Sequence, residues 1–316
     1  PIKFLKNMEI FFQQLINGIV LGSVYAMVAV GYTMVYGILQ LINFAHGEVL
    51  MIGAMFGLTC VSILNLLFPG LPGSLVLLIS MSSATFLCPI LAAFIERVAY
   101  KPLREAPRLA PLITAIGISI ILQTLAMIIW GASPRVFPDL LSTETIKIGG
   151  AILAPKQVLI LIVAVTSMTL LLLLVHKTNL GRAMRAVSES PANASLMGIS
   201  VDKIIRLTFM LGAALAGIAG VLIALNYNFV HFTMGFLLGL KAFTAAVLGG
   251  IGNIAGALLG GLLLGIIESL GAGYIGDLTN GVLGSHYQDI FSFVILIVVL
   301  LFRPTGILGE KIADRA

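Results

Sequence analysis

The sequence predicts an all-α, polytopic transmembrane helix bundle of about eight spans plus one or two short or re-entrant helices. Three observations predict it. Hydrophobic residues make up 59% of the chain and charged residues 10%, against ~25% charged in ordinary soluble domains. A soluble protein of 316 residues could not cover its core with so little polar surface. Several apolar runs also reach the ~20 residues needed to cross a ~30 Å hydrocarbon core. Finally, the basic residues gather in short connections between those runs, as the positive-inside rule describes.

The spans fall near 10–30, 49–67, 75–96, 109–130, 157–176, 203–226, 253–275 and 288–302. The first has many successors, so it does not read as a cleaved signal peptide. Shorter apolar pieces at about 31–45 and 236–250 are either short crossings or re-entrant elements. Charge sets the orientation. Arg97, Lys101, Arg104 and Arg108 share one connection, and Lys177, Arg182, Arg185, Lys203 and Arg206 lie in or beside another. Arg303, Lys311 and Arg315 follow the last run. These three regions are expected in the cytoplasm, and Lys3 and Lys6 place the N-terminus there too if 31–45 crosses.

The segment 276–289 carries Asp277 and Asp289 but no Lys or Arg, so it is expected outside. The external connection 131–155 opens with Pro134 and Pro138, and Thr143–Ile148 and Ala151–Leu153 flank Gly149-Gly150. It reads either as a small hairpin with a Gly-Gly turn or as a simple solvated connection. The net charge of +5 and pI near 9.3 follow this loop bias and do not point to nucleic acid. Cys60 and Cys88 lie within apolar runs, form no metal or redox motif, and read as buried inert thiols.

Residues 181–198 form a polar, basic insert between hydrophobic runs, in a cytoplasmic connection of about 177–202. Ser190 is a good N-cap, Pro191 fits a first helical turn, and Gly198 fits the left-handed position after a helix. The spacing predicts a helix of about seven residues, Pro191–Met197. Helices shorter than ~12–15 residues are marginal alone in water, so this one is expected to dock on a soluble partner.

Charged groups at a bilayer centre cost roughly 2.5–3.5 kcal/mol each on insertion scales. His46, Glu48, Lys241 and Glu268 break the apolar pattern. The first two sit in Ile42-Asn43-Phe44-Ala45-His46-Gly47-Glu48, a break tolerated where it is buried in protein or lines a cavity. Lys241 and Thr244 open a second short helix that ends at Gly249-Gly250-Ile251-Gly252. One interrupted segment in each half suggests a pathway between two repeats. The alternatives are interfacial capping for His46 and Glu48, a structural or snorkelling role for Lys241, and bonding within the bundle for Glu268. A Lys241–Glu48 pair is also conceivable. Gly252, Gly256 and Gly260, then Gly261 and Gly265, then Gly212, Ala216 and Gly220 repeat at four-residue spacing, which suits close helix packing.

No Gly-x4-Gly-Lys-Ser/Thr loop occurs, so no ATP site of that kind is expected. There is no His-Glu-x-x-His, and His46, His176, His231 and His286 are dispersed without a local metal signature. No nucleophile–base arrangement stands out.

Several stretches together resemble one family, the permease subunits of ABC importers for branched-chain amino acids, of the LivH type. They are Asn17-Gly18, Leu21-Gly22-Ser23 and Tyr25-Ala26, Gly31–Gly37, Ile42–Glu48, Glu96–Arg104, Leu180–Ala183, Lys241–Gly252 and Arg303–Gly309. The resemblance covers nearly the whole chain in order. It implies a single transmembrane permease domain over 1–316 in a bacterial inner membrane, and no enzymatic activity of the chain's own. Implied partners are a second homologous permease, two cytoplasmic ATPases that hold ATP and Mg, a periplasmic binding protein and membrane lipid. The insert becomes the coupling helix, with Arg182, Arg185, Glu189, Ser190, Pro191, Ala192, Asn193, Ala194 and Gly198 at the ATPase. Ala194-x3-Gly198 fits the importers' Glu-Ala-Ala-x3-Gly spacing, while Glu189 is displaced and Pro191 intrudes. Asn43, His46, Gly47, Glu48, Lys241 and Thr244 become the expected pathway, with alternating access as its mechanism. Urea, short amides or other amino acids are alternative cargoes within the resemblance. An ion-coupled secondary transporter using His46, Glu48 and Lys241 as a relay is the rival outside it.

Overall fold

Eleven α-helices carry the described chain, α1 (Ile2–Leu39), α2 (His46–Leu67), α3 (Gly73–Ile95), α4 (Leu109–Trp130), α5 (Pro155–Lys177), α6 (Asn179–Glu189), α7 (Pro191–Leu196), α8 (Val201–Tyr227), α9 (Met234–Gly249), α10 (Ile254–Leu278) and α11 (Gln288–Phe302). The computed structural model describes residues 2–104, 106–107, 109–141, 144–148, 151–279 and 287–309, with the backbone alone for 2–7, 146–148 and 277–278. Arg108, Thr143, the Gly149-Gly150 turn, His286, Lys311 and Arg315 lie outside the described residues. Seven helices are long and apolar enough to cross a membrane, and α9 and α11 are shorter apolar helices. The protein is a polytopic helical membrane bundle.

Two expectations are corrected here. Residues 31–39 are neither a separate crossing nor a re-entrant piece, because α1 continues unbroken through Leu39. The chain breaks only at 40–45, where Gln40 takes a positive φ of 54°. The final expected span, α11, has 15 residues, less than a full crossing needs.

The continuity of α1 also removes the condition for placing the N-terminus beside the basic connections. The Gln13 side chain bonds the backbone of Ile152 at 2.7 and 3.1 Å, and Gln157 at the start of α5 donates to Asn17 at 3.0 Å. The first half of α1 therefore lies at the end of the bundle that holds the strands. There β2 (Ile146–Ile148) pairs antiparallel with β3 (Ala151–Leu153), as a hairpin reading requires. The short β1 (Arg135–Val136) pairs with β4 (Phe229–Val230). The opposite end holds α6, α7, the ends of α3 and α5 and the start of α8.

Small residues set the core packing. α1 and α10 run antiparallel, and a Cβ on Gly22 would meet Leu262 Cα at 2.8 Å and one on Gly18 would meet Ile266 Cα at 2.7 Å. Gly53 and Gly217 bring α2 and α8 equally close. Gly256 and Gly260 pack on the end of α9, but Gly252 has open space around it and a φ of +99°. Gly252 is thus a turn residue and not part of the packing stripe. Gly22→Val should force α1 from α10 and cost about 1–3 kcal/mol. Thermal unfolding in detergent measures this, and an unchanged midpoint would contradict the close approach.

The outer faces of α4 and α5 are apolar. Ile113, Ile116, Ile120 and Ile128 on α4, and Ile162, Val165 and Leu170 on α5, point away from the core. With lipid as solvent such faces carry no penalty. Cys88 is buried and Cys60 half-buried.

Candidate functional site

The polar residues inside this apolar bundle fall into three buried centres and one surface at the α6–α7 end. The first centre is built at the middle of α9. Lys241 lies midway along α9, and its ammonium sits 2.6 Å from Glu268 Oε1 of α10 and 2.5 Å from Asp289 Oδ1 of α11. Tyr25 Oη of α1 donates to Glu268 at 3.2 Å, and Ser292 Oγ donates to its other oxygen at 2.9 Å. Lys241 and Glu268 are almost fully buried. Four helices thus meet at one ion pair in which both Glu268 oxygens accept hydrogen bonds, which is how buried charges are tolerated.

The second centre surrounds Glu48, in the first turn of α2 and fully buried. Ser119 and Gln123, one turn apart on α4, donate to Glu48 Oε1 at 3.0 and 2.7 Å. Glu48 Oε2 has no partner among the described residues. Gly47 makes room for α9, since a Cβ there would meet Gly239 Cα at 2.8 Å.

The third centre fills the break at 40–45. Asn43 Oδ1 accepts from the Ala45 N–H at 3.1 Å and from Tyr100 Oη at 2.7 Å. His46 is wedged between Gly31 and Gly212 and stacks edge-on to Tyr32, with ring centroids 4.8 Å apart. Thr244 is buried on α9 and donates to the Leu240 carbonyl at 2.9 Å.

All six expected pathway residues, Asn43, His46, Gly47, Glu48, Lys241 and Thr244, are therefore buried in protein packing. The conceivable Lys241–Glu48 pair is overturned: Lys241 belongs to Glu268 and Asp289, and Glu48 to Ser119 and Gln123. The two charges sit on helices whose facing sides are the glycines Gly47, Gly235 and Gly239, so their side chains turn to different neighbours. Glu268 bonds within the bundle, as the structural alternative required. Asp289 was placed in an external segment by sequence, yet it opens α11 inside the first centre. Ser119 and Gln123 carried a legible signal, two polar residues at helical spacing inside an apolar run.

At the α6–α7 end, Thr178 Oγ1 caps α6 by accepting from the Gly181 N–H at 3.2 Å. Gly181, Met184 and Val187 turn inward at helical spacing. Arg185 donates to the Val175 carbonyl, and Arg182 to Asn179. The expected seven-residue helix is α7, six residues long and preceded by the eleven of α6. Ser190 Oγ accepts from the Asn193 N–H at 3.3 Å, and Gly198 takes a φ of +82°. Ala194 is buried beneath α7, whereas Glu189, Pro191, Ala192 and Asn193 are exposed. Leu196 and Met197 protrude at 87% and 83% exposure.

A charge network ties this surface to α3. Asp202, in the first turn of α8, pairs with Lys101 at 2.6 Å and Arg104 at 2.5 Å. Glu96, fully buried in a π-helical turn at Glu96–Tyr100, accepts from Arg104 and from Arg206 of α8 at 3.2 Å. The C-terminal strand of chain packs nearby: Ile307 and Leu308 N–H groups bond the Leu248 and Gly249 carbonyls at 2.9 Å. That contact satisfies the last carbonyls of α9 and accounts for the Arg303–Gly309 stretch. Among the described residues no group of three His, Cys, Asp or Glu could hold a metal ion.

Comparison with known proteins fits this architecture. The family model described as branched-chain amino acid transport system / permease component matches residues 14–300. The chain is 45% identical to the high-affinity branched-chain amino acid transport system permease protein BraD of Pseudomonas aeruginosa, over 96% of this chain and 98% of that one. It is 44% identical to the permease protein LivH of Escherichia coli, over 96% and 97%. It is 32% identical to a probable branched-chain amino acid transport permease protein LivH of Methanocaldococcus jannaschii, over 93% and 91%. A match of this length and identity places the chain in the family of branched-chain amino acid transport permeases.

Proposed function

We propose that this chain is the membrane-spanning permease of an ATP-driven importer that carries branched-chain aliphatic amino acids across a bacterial inner membrane by alternating access. The observation that carries this reading is the 44–45% identity over nearly the full length to BraD and LivH. The chain makes and breaks no covalent bond. ATP and Mg act on two partner ATPases, a second homologous permease completes the membrane part, and a periplasmic binding protein delivers cargo.

In this reading the α6–α7 end, which holds the basic connections, faces the cytoplasm, as the positive-inside rule expects. The C-terminal segment then lies on the cytoplasmic side, and the start of α1 lies outside with the β2–β3 hairpin. In this reading α7 is the coupling helix. Its capped, rigid backbone presents Leu196 and Met197, and an apolar tip of this kind suits a groove on an ATPase.

The test is assembly. Mild detergent extraction is expected to recover the chain with two ATPases and a second permease. Leu196→Glu with Met197→Glu should leave the chain folded and remove the ATPases from the complex. Leucine uptake by the reconstituted complex should need ATP. Uptake by the chain alone, driven by an ion gradient, would overturn the proposal.

A further inference from the structure

A cavity of about 250 Å³ opens between α1, α5, α8, α10 and α11, towards the strand-bearing end of the bundle. It lies on one flank of Glu268, whose other contacts are Lys241, Tyr25 and Ser292. Five carboxamides converge on it, from Gln14, Asn17, Gln157, Asn226 and Gln288. The whole chain has six glutamines, and three of them line this one space. All five are half-buried, so their polar atoms face a space that a solute can enter.

The chemistry of the wall is specific. Asn17 Oδ1 already accepts from Gln13 and Gln157, so Asn17 offers its N–H groups to a guest. Gln14 Oε1 already accepts from Ser269 at 2.9 Å, which leaves mainly donors there too. Those donors suit a carboxylate. On the α10–α11 side the balance is reversed: Glu268 and Asp289 share the single ammonium of Lys241, so that cluster carries one formal negative charge in excess. A guest ammonium would neutralise it. Val20, Leu21 and Ala272 supply an apolar wall. A space of this size takes a small solute such as a free amino acid with a short branched side chain.

We propose that this cavity is a binding site for a zwitterionic amino acid, with its ammonium towards Glu268 and its carboxylate on the Asn17–Gln14 amides. It deepens the transport reading and rests on it. It moves the solute away from Asn43–Glu48 and Thr244, which are packed solid, and leaves Lys241 to hold the carboxylates in place.

The experiment uses the assembled transporter in nanodiscs with Ala272→Cys, labelled by a charged methanethiosulfonate. The parent chain, with Cys60 and Cys88, gives the background. Leucine and valine should slow labelling at least fivefold, whereas 4-methylpentanoate, which lacks the ammonium, should not. Equal protection by sodium ion alone would mean a simple cation site and overturn the proposal. Labelling at parent level, or labelling indifferent to leucine, would overturn it as well. Val20→Cys on the facing helix repeats the measurement should Ala272→Cys fail to assemble. Ala272→Phe should raise the KM for leucine at least tenfold, with ATP hydrolysis retained. If the parent complex takes up leucine with ATP and protection is absent, only the cavity assignment fails. If the parent complex takes up no leucine, the transport reading fails.

Discussion

Lys241→Met is expected to be the most damaging single substitution in the membrane interior. It leaves Glu268, almost fully buried, and Asp289 facing each other without the ammonium that lies 2.6 and 2.5 Å from them. Breaking a buried pair from one side costs about 3–5 kcal/mol, because the remaining charge stays desolvated. The loss should appear as a lower unfolding midpoint and a poorer yield of monodisperse protein in detergent. Adding Glu268→Gln and Asp289→Asn to Lys241→Met should recover most of it, since a neutral triad has no uncompensated charge. Swapping Lys241→Glu with Glu48→Lys should rescue nothing, because those residues have separate partners. A single Lys241→Met variant as stable as the parent would refute the triad.

The second large effect is expected from Glu96→Gln. Glu96 holds Arg104 and Arg206, so it joins the turn after α3 to the first turns of α8, which follow directly from α7. The same π-helical turn carries Tyr100, whose hydroxyl bonds Asn43 in the 40–45 break at 2.7 Å. π-helical turns within helices occur frequently at functional sites. Together these contacts form a continuous mechanical link from α7 to the start of α2. Under the transport reading, Glu96→Gln should lower leucine moved per ATP hydrolysed by tenfold or more, with hydrolysis continuing. The stability cost should be smaller, about 1–3 kcal/mol, because Arg206 is 36% exposed and can turn to solvent. Tyr100→Phe keeps the ring against Phe209 at 5.3 Å and should show the same defect more weakly. A parent-like transport ratio in Glu96→Gln would mean that the network only stabilises.

The legible part of the site is the part with local causes. Ser190, Pro191 and Gly198 each act within one turn of α7, so their roles could be read directly. Asn43–Glu48 and Gly249–Gly252 were visible as breaks because polar or flexible residues interrupt apolar runs. The partners across those breaks were not visible. Lys241 and Glu48 look complementary in sequence, yet the side each presents depends on how α2 and α9 are rotated against each other at Gly47, Gly235 and Gly239. Gly252 shared a four-residue spacing with Gly256 and Gly260, but spacing alone cannot separate a packing glycine from a turn glycine.

By itself the sequence determined the class of protein, its chain of apolar helices and the capped insert, because hydropathy and capping act over a few neighbouring residues. Only the tertiary structure decided that α1 runs unbroken to Leu39, that Asp289 enters the Lys241–Glu268 pair, and that amides from α1, α5, α8 and α11 surround one cavity. Those outcomes depend on the depth and rotation at which separate helices meet. In a membrane almost any apolar face satisfies the solvent, so hydropathy leaves that choice to the glycine contacts and buried polar bonds between helices.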